Sequence, residues 1–329
     1  MNRRDFLAGM AATATAIGTT GATLAAPSQK LKFGYLLAPQ SQLGAGATVF
    51  AAEIEKRTAG RISIEQYPNA ALGGEVEMLK ALQTGTIDMA FITGGALSAI
   101  VPEIGVFNIP FLFRDASHAH AVLDGPVGIA ALARFKEKDL VPLVWGENGM
   151  RHITNSKRPI VNADDLKGLK LRVPQSDAMI AGFKAMGAEV SALPFPQLYA
   201  ALQTGQFDGE ENPIATIQAS KFYQVQKYLT LSGHVYDPAI VFISPDVYGD
   251  LSDDDKAAFA EAAKLASAAS RKFSGEAQVK GAAELEASGM QVTREVKRDS
   301  FVAAMASAIP GFEAKYGAEL IKQIRGVTS

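Results

Sequence analysis

Leu166–Pro213 reads LKGLKLRVPQSDAMIAGFKAMGAEVSALPFPQLYAALQTGQFDGEENP. From Gly168 to Pro174 apolar and polar residues alternate, the period of a short strand. Leu169, Leu171 and Val173 point one way, and Lys170 and Arg172 the other. Ser176 is placed to cap a helix whose apolar positions Met179, Ile180, Phe183 and Met186 recur at three and four residues. Gly187 is placed to end it. Ala188–Leu193 reads as a second strand, and Pro196 opens a further helix through Leu198 and Leu202 to Gly205. The segment is therefore β-α-β-α, and Arg172 stands at the carboxyl end of its strand, where open α/β sheets bind ligands. Its planar pair of donors suits a carboxylate; the plain alternative is a solvated surface arginine.

The same pattern opens the mature chain. Leu31–Leu37 and Gly60–Pro68 alternate as strands, 47–58 and 75–84 read as helices, and Asp88–Ile92 is a third strand. Strand-helix alternation argues for parallel α/β sheets. The motif ALQTG-x-x-D occurs at Ala81–Asp88 and again at Ala201–Asp208, 120 residues apart, too far for a solenoid repeat. We read it as one device used once in each of two similar lobes. Trp145–Asn155, rich in Gly and Asn, is the expected crossing between lobes, and Leu229–Ile243 the return. Two crossings leave a hinged cleft. Ser252 and Asp255 form a capping box for a long helix with interruptions at Gly275 and Gly281. About 36 residues of helix would span roughly 54 Å, enough to run across both lobes. A second helical stretch at 300–316 and a short one after it finish the chain.

Composition narrows the function. The chain has 329 residues, a formal net charge of −2 and 20% charged residues, so it carries no basic patch for nucleic acid. It has no cysteine, which excludes disulfides, thiolate metal sites and cysteine nucleophiles. Asn2–Leu7 contains a twin arginine, followed by an Ala/Gly/Thr-rich stretch too weakly apolar to anchor in a membrane. We expect 1–25 to be a twin-arginine signal peptide, leaving a freely diffusing periplasmic protein that is not membrane-embedded.

Enzyme signatures are missing: no P-loop, no GxGxxG after a strand, no HExxH and no GxSxG. No metal site or cofactor is expected. His118 and His120 do not share a helix face. Glu210 and Glu211 are adjacent and read as turn or surface groups. Asn212 precedes Pro213, which biases it to extended backbone and aims its amide from a strand end.

The chain resembles the periplasmic solute-binding proteins of TRAP transporters. The likeness rests on PNxxLGGE with MLxALQxGxID (Pro68–Asp88), on NGxRxxxN (Asn148–Asn155), on LKGLKLRVP (Leu166–Pro174), on PFxxxYxALQxGxxDGxENP (Pro194–Pro213) and on KFYxVQKY (Lys221–Tyr228). It covers essentially the whole mature chain. The resemblance implies a two-lobed periplasmic-binding-protein fold, divided as 27–148 plus 237–276 and 149–236 plus 277–329, with a long helix spanning both lobes. It implies capture of a small organic acid, a sugar acid or C4 dicarboxylate, for TRAP membrane permease subunits. Arg172 corresponds to the family's principal carboxylate anchor, Arg151 to a second arginine in the crossing loop, Asn212 to an amide contact and Phe195 to an aromatic that packs on the ligand. Glu75 falls at or beside an acidic contact of some members. Thr93 stands where a sialic-acid-binding member has glutamate, a departure that argues against sialic acid. On the residues alone, two arginines suit a dicarboxylate, whereas Glu75, Glu147 and Gln40 suit sugar hydroxyls. The rival readings are a periplasmic α/β enzyme using Glu147, Glu211 or His152 as acid or base, and a sensor subunit feeding a signalling receptor.

Overall fold

The computed structural model describes residues 29–328; the signal expected at 1–25 lies outside them. Nine strands form one mixed sheet: β1 (Gln29–Tyr35), β2 (Ile62–Tyr67), β3 (Met89–Thr93), β4 (Val141–Asn155), β5 (Lys170–Val173), β6 (Glu189–Ala192), β7 (Gly209–Pro213), β8 (Tyr228–Ile243) and β9 (Gln291–Thr293). Their order is β2-β1-β3-β8-β4-β7-β5-β6, with β9 on β8.

Two long strands join the lobes. β4 and β8 pair antiparallel from Val141 opposite Ile243 to Asn155 opposite Tyr228. At one end β3 pairs with Ala239–Ile243 of β8 and carries β1 and β2 in parallel. At the other, β7 pairs with Arg151–Asn155 of β4 and carries β5 and β6 in parallel. The crossings are thus continuous strands, and Arg151 sits on β4, not in a loop. The ladder slips register between Glu147 and Gly149 and between Arg151 and Ile153. Such irregularities bend a strand and re-aim its side chains. Gly149 has φ +125°, and a Cβ there would come within 2.3 Å of Ser274 Oγ. Only glycine combines that backbone with that approach.

The first lobe has an apolar cluster of its own, and a larger one runs through both lobes. Phe33, Phe50, Phe91 and Phe259 make aromatic contacts on the first, with Phe33–Phe50 centroids 5.5 Å apart and Phe50–Phe259 centroids 5.6 Å apart. Leu171, Val173, Met179 and Phe183 are buried on the second. Ile180 is only partly buried. Ser176 precedes the helix Asp177–Ala185 as expected, but its hydroxyl makes no capping bond and is buried without a partner.

The long helix Asp253–Ala287 is unbroken, 35 residues or about 52 Å. Ser252 Oγ accepts from Asp255 N at 3.1 Å, as the sequence indicates. The interruptions expected at Gly275 and Gly281 do not occur. A helical glycine costs only about 1 kcal/mol relative to alanine, which the rest of the helix absorbs at Gly275 and close packing offsets at Gly281. A Cβ at Gly281 would lie 2.3 Å from Ile214 Cγ2. Small residues elsewhere on the same stripe bring the helix onto β4, where Ser267 Oγ donates to Trp145 O at 2.6 Å. The stretch expected as one helix at 300–316 is two, Arg298–Ala304 and Ile309–Tyr316, joined by a 3-10 turn and followed by Ala318–Gly326. This tail touches both ends of the molecule: Met305 packs near Gly182, and Ile324 O lies 2.9 Å from His118 Nε2.

Candidate functional site

Between the lobes lies a cleft of about 460 Å³. Glu75 and Thr93 come from one wall, Arg172, Phe195 and Asn212 from the other, and Asn148 and Arg151 from the joining strand. All six residues singled out in the sequence line it. Gln40 and Glu147, considered there for hydroxyl contacts, do not. Glu147 instead lies 2.6 Å from His120 Nε2 and accepts from Tyr236 OH at 3.0 Å. His152 is also outside the cleft lining, bonded to Gln278 and to Gly233 N, and burial pushes it down to about 4.

The two arginines differ sharply. Arg172 is 2% exposed, near the end of the short buried strand β5. Its Nε and one terminal nitrogen donate to Leu193 O at 2.9 and 2.6 Å, and its guanidinium carbon lies 6.0 Å from the Phe195 ring centre. That leaves three of its five N–H groups for the cleft. It forms no ion pair among the described residues, and burial pushes it down to about 10. Arg151 is equally buried but already ion-paired, with four of its five N–H groups engaged. It donates to Glu211 Oε2 at 2.6 Å, Glu211 Oε1 at 2.9 Å, the Glu211 carbonyl and Asp237 Oδ2 at 2.9 Å. Burial opposes its charge, but Glu211 and Asp237 outweigh burial and raise it.

Glu210 and Glu211 are therefore not turn or surface groups; both are 0% exposed within β7. Successive strand residues face opposite ways. Glu211 meets Arg151 and lies 3.0 Å from His234 Nε2. Glu210 accepts from Thr154 Oγ1 at 2.7 Å and from Asn212 Nδ2 at 2.5 Å. Burial pushes Glu210 up to about 7; against burial, Arg151 and His234 hold Glu211 below the usual carboxylate range. Adjacent glutamates carry no local pattern that distinguishes a buried strand from a turn. Their partners Thr154, Arg151 and His234 come from distant segments, so nothing in the sequence pointed to this pairing.

On the facing wall, Glu75 opens the helix Glu75–Gln83 and accepts from Thr93 N at 2.6 Å and Thr93 Oγ1 at 2.9 Å. Desolvation pushes its carboxyl up to about 7. A carboxyl raised on folding binds its proton more tightly in the native state, so it contributes stability at low pH that fades as pH rises through about 4.5 to about 7. Glu75→Gln should remove that contribution. Its stability relative to the parent should rise between pH 5 and pH 7 in paired urea titrations without ligand; a pH-independent difference would contradict this assignment.

The walls meet at Gly95, just after β3, and Pro174, just after β5. A Cβ on Gly95 would lie 2.8 Å from Pro174 Cβ. Gly95→Val should hold the lobes apart while leaving each core intact. We expect ligand affinity to fall about tenfold or more with little change in melting temperature, and calorimetry beside thermal melts checks both.

Comparison with known proteins agrees with this architecture. The family "Bacterial extracellular solute-binding protein, family 7" matches residues 33–315. A TRAP periplasmic solute-binding protein from Polaromonas, bound to D-erythronate, is 44% identical with a TM-score of 0.90, over 92% of this chain and 99% of that one. The sugar acid binding protein of Advenella mimigardefordensis, in complex with galactonate, is 36% identical with a TM-score of 0.88, over 91% and 97%. The 2,3-diketo-L-gulonate-binding periplasmic protein of Escherichia coli is 34% identical over 322 residues, 97% of this chain and 96% of its own. Among the described residues no helix is long and apolar enough to cross a membrane. The chain belongs to family 7 of the bacterial extracellular solute-binding proteins, the solute-binding proteins of TRAP transporters.

Proposed function

We propose that this protein captures an organic carboxylate in the periplasm and presents it to TRAP membrane permease subunits, without chemical change to the ligand. One observation carries the reading: Arg172 is a buried cation in the cleft wall with no ion pair among the described residues and three donors left for the cleft. A buried charge is costly unless paired, and a ligand carboxylate is the partner this geometry fits. Phe195 packs beside it, Asn212 offers its amide, and Arg151 adds its one remaining N–H. The lobes hinge where β4 and β8 slip register, near residues 147–149 and 237–238. Closure removes water and strengthens the ion pair. Export by the twin-arginine route fits residues 1–25.

The D-erythronate and galactonate complexes of relatives support an acid ligand. The enzyme reading finds no support in the cleft, since Glu147 and His152 lie elsewhere and Glu211 is committed to Arg151. A thermal-shift screen over organic acids tests the proposal, because a ligand that binds only the native state raises its melting temperature. Stabilisation by acids and not by the matching neutral polyols is the expected result, and recovery of altered ligand would overturn it.

A further inference from the structure

The geometry points to a ligand with a single carboxylate and a hydroxylated body, with Glu75 as the residue that turns away a second carboxylate. This rests on Arg172 as the anchor for the first. Among the described residues the cleft lining holds one other buried cation, Arg151, and it is not free for a second acid group. Arg151, the only rival, is already matched by Glu211 and Asp237 on two different strands. Its charge is spent inside the protein, and a dicarboxylate gains little from it.

The opposite wall presents the wrong sign for an acid. Glu75 has no salt bridge among the described residues, and the Arg172 charge reaches it only through space; both its oxygens are aimed by Thr93. A carboxylate has about four acceptor sites, so Glu75 keeps capacity to accept from hydroxyl groups. A hydroxyl donates and is welcomed there, whereas a second carboxylate can only accept and would face a like charge inside a closing cleft. Four other cleft-lining side chains, Asn148, Gln175, Gln197 and Asn212, are neutral amides that serve hydroxyls equally well. Lys80 does reach the mouth, but it is exposed and accompanied by Glu77 one turn earlier on the same helix. An exposed lysine is screened by water and contributes little to a fixed site.

The test compares acids that share one carbon skeleton and differ only at the far end, titrated at pH 8 so that Glu75 is ionised. Erythronate is set against meso-tartrate and erythritol, and galactonate against galactarate and galactitol. In calorimetry at least one aldonate should bind roughly 100-fold or more tighter than its matching aldarate. Glu75→Gln should narrow that ratio, chiefly by improving the aldarate. Aldarates or succinate binding as tightly as the aldonates would overturn the inference while leaving carboxylate capture intact, as would an unchanged ratio in Glu75→Gln. Alditols binding as tightly as aldonates would instead overthrow the carboxylate reading itself, and this inference with it.

Discussion

Arg172→Met should lose acid binding and yet give a more stable ligand-free protein. Charge-assisted hydrogen bonds contribute about 1.5–3 kcal/mol each. A bidentate bridge through Arg172 therefore accounts for enough to weaken binding by at least roughly 100-fold when removed. In the empty protein the same guanidinium is a liability, because it is buried with a carbonyl as its only hydrogen-bond acceptor and the charges of Glu211, Glu210 and Glu75 do not offset its burial. Replacing buried charge by an apolar side chain of similar volume is often neutral or stabilising by about 1–4 kcal/mol, and here the only acceptor to lose its donor is the neutral Leu193 carbonyl. Arg172→Lys keeps the charge but not the fork, so an intermediate loss of about tenfold or more is expected. Calorimetry for affinity and urea unfolding without ligand check the pair of effects. A methionine variant that binds normally, or that unfolds earlier than the parent, would mean that Arg172 holds the fold together and does not wait for a guest.

The parts of this site that were legible in the sequence are those fixed by local rules. Alternation in Gly168–Pro174 placed Arg172 at a strand end, and the strand is there at Lys170–Val173. Ser252 as N-cap located the start of the long helix to the residue, although the full capping box does not form, because the Asp255 carboxylate accepts from the Ser252 hydroxyl and not from its backbone N–H. What stayed hidden depends on partners far apart in the chain. Glu210 and Glu211 read as turn groups because their burial is set by Thr154, Arg151 and His234, which lie 23 to 60 residues away. Gly281 read as a break because a local propensity of about 1 kcal/mol is easily overridden by tertiary packing, here the approach of Ile214. The contrast between Arg172 and Arg151 was equally invisible: both are arginines before small motifs, and only the fold reveals that one is matched and the other is not.

That contrast yields the largest stability effect expected in the molecule. Arg151→Met should destabilise the ligand-free protein by about 3–5 kcal/mol, because it strands buried carboxylates whose cation is gone. Glu211 loses two side-chain bonds and the bond to its carbonyl, and Asp237 loses its one charged donor among the described residues. Asp237 retains Asn148 at 2.7 Å and Asn108 at 3.2 Å, and Glu211 retains His234. Both carboxylates should then bind protons more readily. With folded-state carboxyls raised, the variant should recover stability as the pH is lowered toward 5, the reverse of a group held ionised by a partner. Adding Glu211→Gln to Arg151→Met should restore part of the loss, since the double variant no longer buries that unmatched charge. Urea unfolding of the four proteins in this cycle measures the coupling directly. If Arg151→Met instead unfolds like the parent and fails only in binding, Arg151 is a ligand anchor on equal terms with Arg172. The cleft would then carry two free cations, and the preference for a single carboxylate would lose its foundation.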